Sequence, residues 1–272
     1  MTFLTKLETR QKSIKSILCI GLDPSKEKIP KSILSKQNPL FEFNKAIIDA
    51  TYSCACAYKP QIAYYAAIRA ENDLEMTIEY IHEKYPDIPV ILDAKRSDIG
   101  STAEMYAREA FERYNADAVT VNPFLGFDSI KPFIEWKEKG VFILCKTSNA
   151  SSHEIQDVLI NGKPLYVTLA ERAIREWNMN GNICFVVGAT YPSQMSDIRR
   201  IAPDTCFLVP GVGTQGGSIK EIMTNGVRRD GSGLIISSSR SIIHASEKDD
   251  FAERAKDAAF NYFTEIQQYR RS

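Results

Sequence analysis

The stretch Ile88-Pro89-Val90-Ile91-Leu92-Asp93-Ala94-Lys95-Arg96-Ser97-Asp98-Ile99-Gly100-Ser101-Thr102 changes character halfway along. Pro89 to Leu92 is an apolar run of the kind that fills a parallel sheet. Asp93 to Asp98 then sets two carboxylates and two cations within six residues. Side chains two apart on a strand share a face, so Asp93 and Lys95 are expected to point the same way. Charges are expensive to bury unless they are paired or functional. A carboxylate and an ammonium side by side where a buried strand ends therefore read as a prepared site.

Outward from that strand, Ile88–Lys95, short apolar segments alternate with longer amphipathic ones. Strands are expected at Ile17–Asp23, Cys54–Pro60, Ala116–Asn122, Val141–Thr147, Asn182–Ala189, Thr205–Gly211 and Leu234–Ser238. Helices are expected at Pro39–Ser53, Ala70–Lys84, Thr102–Arg113, Phe127–Lys139, Pro164–Met179, Gln194–Ile201, Ser218–Thr224 and, closing the chain, Phe251–Gln268. A strand followed by a helix, eight times over, is the count of a closed α/β barrel of the (β/α)8, or TIM, type. A doubly wound sheet gives a similar pattern. The regular run, the closing helix and the lack of a Pro/Gly/Ser-rich linker favour a single barrel domain over residues 1–272.

Composition narrows the function classes. Hydrophobic residues make up 44% and charged residues 25%, which suits a full globular core. Lys+Arg and Asp+Glu both number 34, so no net charge draws the chain to nucleic acid or to an anionic membrane. No apolar run reaches the ~18 residues of a membrane-spanning helix. Met1 to Lys6 lacks the apolar core of a signal peptide, and a cytoplasmic enzyme is expected. Cys19, Cys54, Cys56, Cys145, Cys184 and Cys206 lie in apolar segments without CxxC spacing and read as buried free thiols. His82, His153 and His244 are far apart and form no zinc pattern, so no metal is expected.

Polar residues recur at the ends of the expected strands: Asp23, Lys59, Asp93 with Lys95, Asn122, Lys146-Thr147-Ser148, Thr190, Gln215 and Arg240. Barrel active sites form there, from several strands at once. Any one of these residues alone reads as a cap or a salt-bridge partner; their recurrence in unit after unit does not. Gly211-Val212-Gly213-Thr214-Gln215-Gly216 matches GxGxxG but belongs to the seventh unit, and the eighth strand ends in Ser238-Ser239-Arg240 without the acid that holds a ribose hydroxyl. In a barrel, the loops after strands seven and eight are the usual phosphate site. Glycines let backbone amides converge on an anion, and Arg240 adds a forked cation. A phosphorylated small molecule is expected rather than a dinucleotide.

Lys59 closes the second expected strand and Lys95 the third, so the two meet across the barrel mouth. A Schiff-base lysine must be present as the free amine, whereas Asp93 beside Lys95 favours the ammonium. That suits a proton donor or fixed cation better than a nucleophile. A rim salt-bridge network is the plain structural alternative.

Asp93-x-Lys95-x-x-Asp98-Ile99-x-x-Thr102 resembles the signature of the orotidine 5′-monophosphate decarboxylase family. The similarity continues in Gly21-Leu22-Asp23-Pro24, Tyr58-Lys59-Pro60-Gln61, Val121-Asn122-Pro123-Phe124-Leu125-Gly126, Cys145-Lys146-Thr147-Ser148-Asn149 and Val209-Pro210-Gly211-Val212-Gly213. These blocks follow the family's order across most of the chain, and the Lys-Thr-Ser-Asn block resembles a subgroup of mycobacteria and some parasites. The resemblance implies a homodimer of (β/α)8 barrels with shared sites. Lys59, Asp93 and Lys95 would come from one subunit and Asp98 from the other. Asp23 of the first and Thr102 of the second would touch the ribose. Pro210 and Gln215 would lie over the pyrimidine and phosphate, Arg240 would hold the phosphate, and Thr147-Ser148 would meet the pyrimidine edge, Ser148 more closely.

The implied reaction is loss of CO2 from orotidine 5′-monophosphate, giving UMP at the last step of its de novo biosynthesis. No cofactor is implied: no metal, pyridoxal or flavin. Lys95 would stabilise a carbanion at C6 and then protonate it. Asn149 to Lys163 reads as a lid whose closure draws on phosphate binding energy. One departure is Ser239, which stands where many relatives carry Gly before the final Arg. Association with orotate phosphoribosyltransferase is left open. Two other readings compete. A Mg2+-dependent sugar-phosphate decarboxylase or aldolase barrel needs a carboxylate for the metal, where Lys59 and Lys95 crowd the space. A catalytically silent UMP-binding barrel would be free to lose Lys95 or Asp98.

Overall fold

In the computed structural model, which describes residues 1–213 and 216–270, eight parallel strands follow one another in chain order around a barrel. They are β1 (Leu18–Leu22), β2 (Ala55–Pro60), β3 (Ile91–Arg96), β4 (Ala118–Val121), β5 (Gly140–Lys146), β6 (Ile183–Val187), β7 (Phe207–Pro210) and β8 (Leu234–Ser238). β1 pairs with β8, and the backbone bridges Tyr58–Val90 and Gln61–Asp93 join β2 to β3, so the ring closes. The (β/α)8 expectation stands and the open doubly wound sheet does not.

The principal helices are α1 (Phe3–Ile14), α2 (Pro39–Thr51), α3 (Glu71–Lys84), α4 (Gly100–Arg108), α5 (Phe127–Ile134), α6 (Leu165–Arg172), α7 (Pro192–Ile201), α8 (Ile219–Gly226) and α9 (Phe251–Tyr269). α2 illustrates why they form. Pro39 pre-sets the first turn, and Leu40, Phe43, Asn44, Ile47, Ile48 and Thr51 are buried at the three- and four-residue spacing of one helical face. α4 and α6 each run on into a wider π-type turn, at Glu109–Arg113 and Ala173–Trp177, which is why the sequence pattern reads as longer single helices. Among the described residues, no helix is long and apolar enough to cross a membrane.

Strand alternation sorts the core into two shells. Leu18, Ile20, Val119, Ile143, Phe185, Val209 and Ile236 face outward against the helices. Cys19, Cys56, Ala57, Ile91, Ala118, Phe142, Cys184, Cys206 and Ile235 face inward. α1, absent from the sequence expectations, seals the lower end of that inner shell. Thr2 caps it, with Oγ1 accepting the Thr5 N–H at 3.2 Å, and Phe3 and Leu7 are buried in the inner cluster. Phe3 packs edge-on against Phe142 at 5.6 Å, and a Cβ on residue 140 would lie 2.4 Å from its ring, so Gly140 is what lets the plug seat. All six cysteines are buried free thiols, as expected, and burial pushes Cys19 up to about 12.

Candidate active site

Two residues further along the inward faces, the layer turns polar. Ala57 is followed by Lys59, Ile91 by Asp93, Ala118 by Thr120 and Ile235 by Ser237, while Leu144, Val186 and Leu208 supply an apolar floor. These side chains line a cavity of about 510 Å³ at the C-terminal ends of the strands. Size and location are those of a barrel's small-molecule site.

Asp93 is the centre of the charged part. Its Oδ2 lies 2.8 Å from Lys59 Nζ, its Oδ1 lies 2.6 Å from Lys95 Nζ, and the Thr120 hydroxyl donates to Oδ1 at 2.8 Å. Burial opposes ionisation of Asp93, but the two ammoniums outweigh it and hold the carboxyl well below the usual carboxylate range. Burial likewise opposes the charge on Lys59, and the Asp93 and Asp23 carboxylates reverse that effect, raising its affinity for the proton. Both ammoniums line the cavity, but Lys95 has the greater access: its side chain is 46% exposed against 8% for Lys59.

Lys95 does not reach Asp93 by the simple alternation expected of a regular strand. The pairing of β3 with β4 shifts register between Leu92 and Arg96, and Lys95 has φ +49°. A left-handed backbone at a non-glycine residue is costly and needs support. Thr120 provides it, its Oγ1 accepting the Ala94 and Lys95 N–H groups, both at 3.0 Å. One hydroxyl thus fixes both the bulge and the carboxylate. Thr120 is missing from the sequence expectations, although its place two residues past Ala118 in an apolar strand puts a hydroxyl on the inward face.

Asp23, Thr147, Ser148, Pro210 and Arg240 line the same cavity. Asp23 follows β1, and among the described residues its Oδ1 is buried with no hydrogen-bond partner. Arg240 opens the short helix Arg240–Ile243 at the rim. Ser239 has φ −128°, so the backbone there does not require glycine; instead Gly21 makes the room, since a Cβ on it would lie 2.6 Å from Ser239 Cβ. Gln215 lies outside the described residues. Lys59, Lys95 and Arg240 outnumber Asp23 and Asp93 among the lining charges, which favours an anionic ligand.

Asp98 and Thr102 are not brought to the cavity. Asp98 sits half-buried before α4, its Oδ1 accepting the Ile99 N–H at 2.8 Å, and Thr102 is exposed on α4 itself. The expected lid contains the helix His153–Gln156 and a hairpin, Leu159–Ile160 with Lys163–Pro164, and Gln156 joins the cavity lining. Among the described residues, no three His, Cys, Asp or Glu side chains converge as metal ligands.

Comparison with known proteins bears on this geometry. Residues 16–255 match the model of the orotidine 5′-phosphate decarboxylase / HUMPS family. The orotidine 5′-phosphate decarboxylase of Cellvibrio japonicus is 54% identical over 268 residues, covering 98% of both chains. Among solved structures, Leishmania donovani OMP decarboxylase superposes with a TM-score of 0.86 at 38% identity, covering 99% of each chain. Leishmania donovani UMP synthase gives a TM-score of 0.88 at 39% identity; 99% of this chain is matched, and it spans 57% of that longer one.

Proposed function

The chain belongs to the orotidine 5′-phosphate decarboxylase / HUMPS family, and on that footing we propose that it decarboxylates orotidine 5′-monophosphate to UMP and CO2, as one barrel domain over residues 1–272, in pyrimidine biosynthesis. The observation that carries this reading is Asp93 held between the Lys59 and Lys95 ammoniums at 2.8 and 2.6 Å beneath an open cavity. A rim salt-bridge network would not present one of its ammoniums to a cavity of this size.

The substrate's three parts have matching groups. Arg240 takes the phosphate, with Pro210 over the base. The Asp23 carboxylate, which lines the cavity, accepts from a ribose hydroxyl. Ser148 and Thr147 meet the pyrimidine edge. Lys95 then faces C6. The bond from C6 to the carboxylate breaks, CO2 departs, and the electron pair stays on C6. The preorganised ammonium stabilises that charge better than water does and then delivers a proton to C6. Lys95 recovers a proton from solvent. Asp93 and Thr120 keep the ammonium in position throughout, and no metal, pyridoxal or flavin enters these steps.

A second copy completes the site in this reading. The partner's Asp98 extends the alternation of Lys59, Asp93 and Lys95, and the partner's Thr102 joins Asp23 on the ribose. Support comes from where these residues lie on a single chain, outside the cavity, and from exposed apolar side chains around them: Ile99 is 58% and Met105 51% exposed.

Absorbance of orotidine 5′-monophosphate should fall with wild-type protein in the presence of a chelator. No turnover at micromolar enzyme sinks the proposal, and turnover only when Mg2+ is supplied favours the sugar-phosphate type of barrel. The shared site has its own test. Lys95→Ala and Asp98→Ala proteins should each be inactive, and an equal mixture should regain about a quarter of wild-type activity, because half the dimers are mixed and each has one intact site. Mixtures with no recovered activity count against sharing.

A further inference from the structure

β5 ends in Lys146, whose side chain is fully buried. Its ammonium pairs at 2.7 Å with Asp157, in the segment expected to form the lid, and lies 4.4 Å from the ring centre of Tyr191. The neighbouring Gln156 reaches back to the same strand end. Its Oε1 accepts the Thr147 N–H at 2.9 Å and its Nε2 donates to Thr147 Oγ1 at 2.8 Å. Ser148, next in sequence, is held from the barrel side. Its carbonyl accepts from the Thr190 hydroxyl at 3.2 Å, and its backbone rests on Gly188, where a Cβ would lie 2.7 Å from Ser148 Cα. The Thr147-Ser148 pair is therefore fixed on one side by β6 and its loop and on the other by the lid.

We propose that Gln156 and the Lys146–Asp157 ion pair are positioning residues, a latch through which the lid sets Thr147 and Ser148 against the base of the bound nucleotide. This rests on the reading of the cavity as a pyrimidine-nucleotide site. The latch acts on recognition of the base through the end of β5, whereas Arg240 opens the helix that follows β8. A role confined to neutralising the buried Lys146 would have no such selectivity.

UMP and ribose 5-phosphate separate the two, because the second lacks the base. Both are to be measured as ligands of wild type, Gln156→Ala, Asp157→Asn and Asp157→Glu, by titration calorimetry, with thermal melting as the check on folding. Gln156→Ala and Asp157→Asn should weaken UMP about tenfold and leave ribose 5-phosphate within about twofold, from the loss of one or two hydrogen bonds. Asp157→Glu should recover most of the UMP affinity. Equal weakening of both ligands, or unchanged UMP affinity in folded Gln156→Ala, overturns the latch. Gln156→Ala leaves the ion pair intact and carries the test if Asp157→Asn does not fold. A wild-type protein that neither turns over orotidine 5′-monophosphate nor binds UMP overturns the functional reading instead.

Discussion

Inside the barrel, a step of two residues along a strand separates two layers of opposite character. The lower layer is Cys19, Cys56, Ile91, Ala118, Phe142, Cys184, Cys206 and Ile235, plugged by Phe3 and Leu7. The upper layer carries Lys59, Asp93, Thr120 and Ser237. Burial of apolar area stabilises the lower layer at roughly 25 cal/mol per Å². In the upper layer each buried ion costs several kcal/mol in lost hydration, offset only while its partners are in place. One layer closes the barrel and the other spends stability on a preorganised charge array. The difference teaches that the site is supported from directly beneath, by residues that do not line the cavity.

The largest expected effect comes from breaking the upper layer. Asp93→Ala removes the carboxylate from a buried Lys59 and the anchor from Lys95. Turnover should fall by more than about a thousandfold, and denaturant unfolding should show a loss of about 3–5 kcal/mol. A variant that is inactive yet as stable as wild type would mean that the charge array is not held together at a cost. The pH dependence has a definite sign. Asp93 is held below its ordinary value, so its contribution is present above ~3.9 and lost as pH falls through the folded value. Lys59 is held above its ordinary value, so its contribution is full below ~10.4 and lost as pH rises beyond it. In wild type neither contribution changes between about pH 5 and 9, so the comparison with Asp93→Ala is made near pH 7, where both groups are charged.

Breaking the lower layer should do the opposite. Phe3→Ala leaves a cavity under Phe142 and Gly140 and should cost about 3 kcal/mol of stability. Its kcat/KM, measured well below the melting temperature, should stay within about twofold of wild type, because nothing above the floor of Leu144, Val186 and Leu208 has lost a partner. A large fall in kcat at full folding would show that the plug sets the geometry of the upper layer as well as its stability.

How far the two layers were legible in the sequence follows from the same geometry. Strand alternation and polar strand ends are local patterns, so the eight units and the convergence of Lys59, Asp93 and Lys95 could be read from residues alone. Features that depend on what lies across the barrel could not. α1 reads as a polar segment, because Phe3, Leu4, Leu7 and Ile14 are outnumbered by polar residues and meet their partners in the inner cluster far along the chain. Thr120 looks like an ordinary strand threonine until the register shift in β3 brings two N–H groups onto it. The Gln156–Thr147 contact needs a lid to fold back nine residues. Asp98 and Thr102 lie outside their own chain's cavity, and only family likeness brought them into the expected site.

The smallest expected effect lies behind the upper layer. His244 follows the rim helix Arg240–Ile243, stacks on Phe43 at 5.5 Å, and accepts the Ser25 N–H on Nε2 at 3.1 Å. Burial, and then the Lys28 ammonium, hold it down to about 4, with Asp23 and Glu247 opposing. The folded state thus favours the neutral ring, as an Nε2 acceptor requires. The unfolded chain takes up the proton near ~6.5, so stability is lost as pH falls from there to about 4 and levels off below. Other carboxylates titrate across the same range, which makes the comparison of two proteins the useful readout. Between pH 7 and 4.5, the melting temperature of wild type should drop further than that of His244→Gln, which keeps a polar side chain but cannot take up the proton. Equal drops would mean that the loop at Ser25 gives way on protonation without cost, and that the upper layer is insulated from pH on its outer side as well as at Asp93.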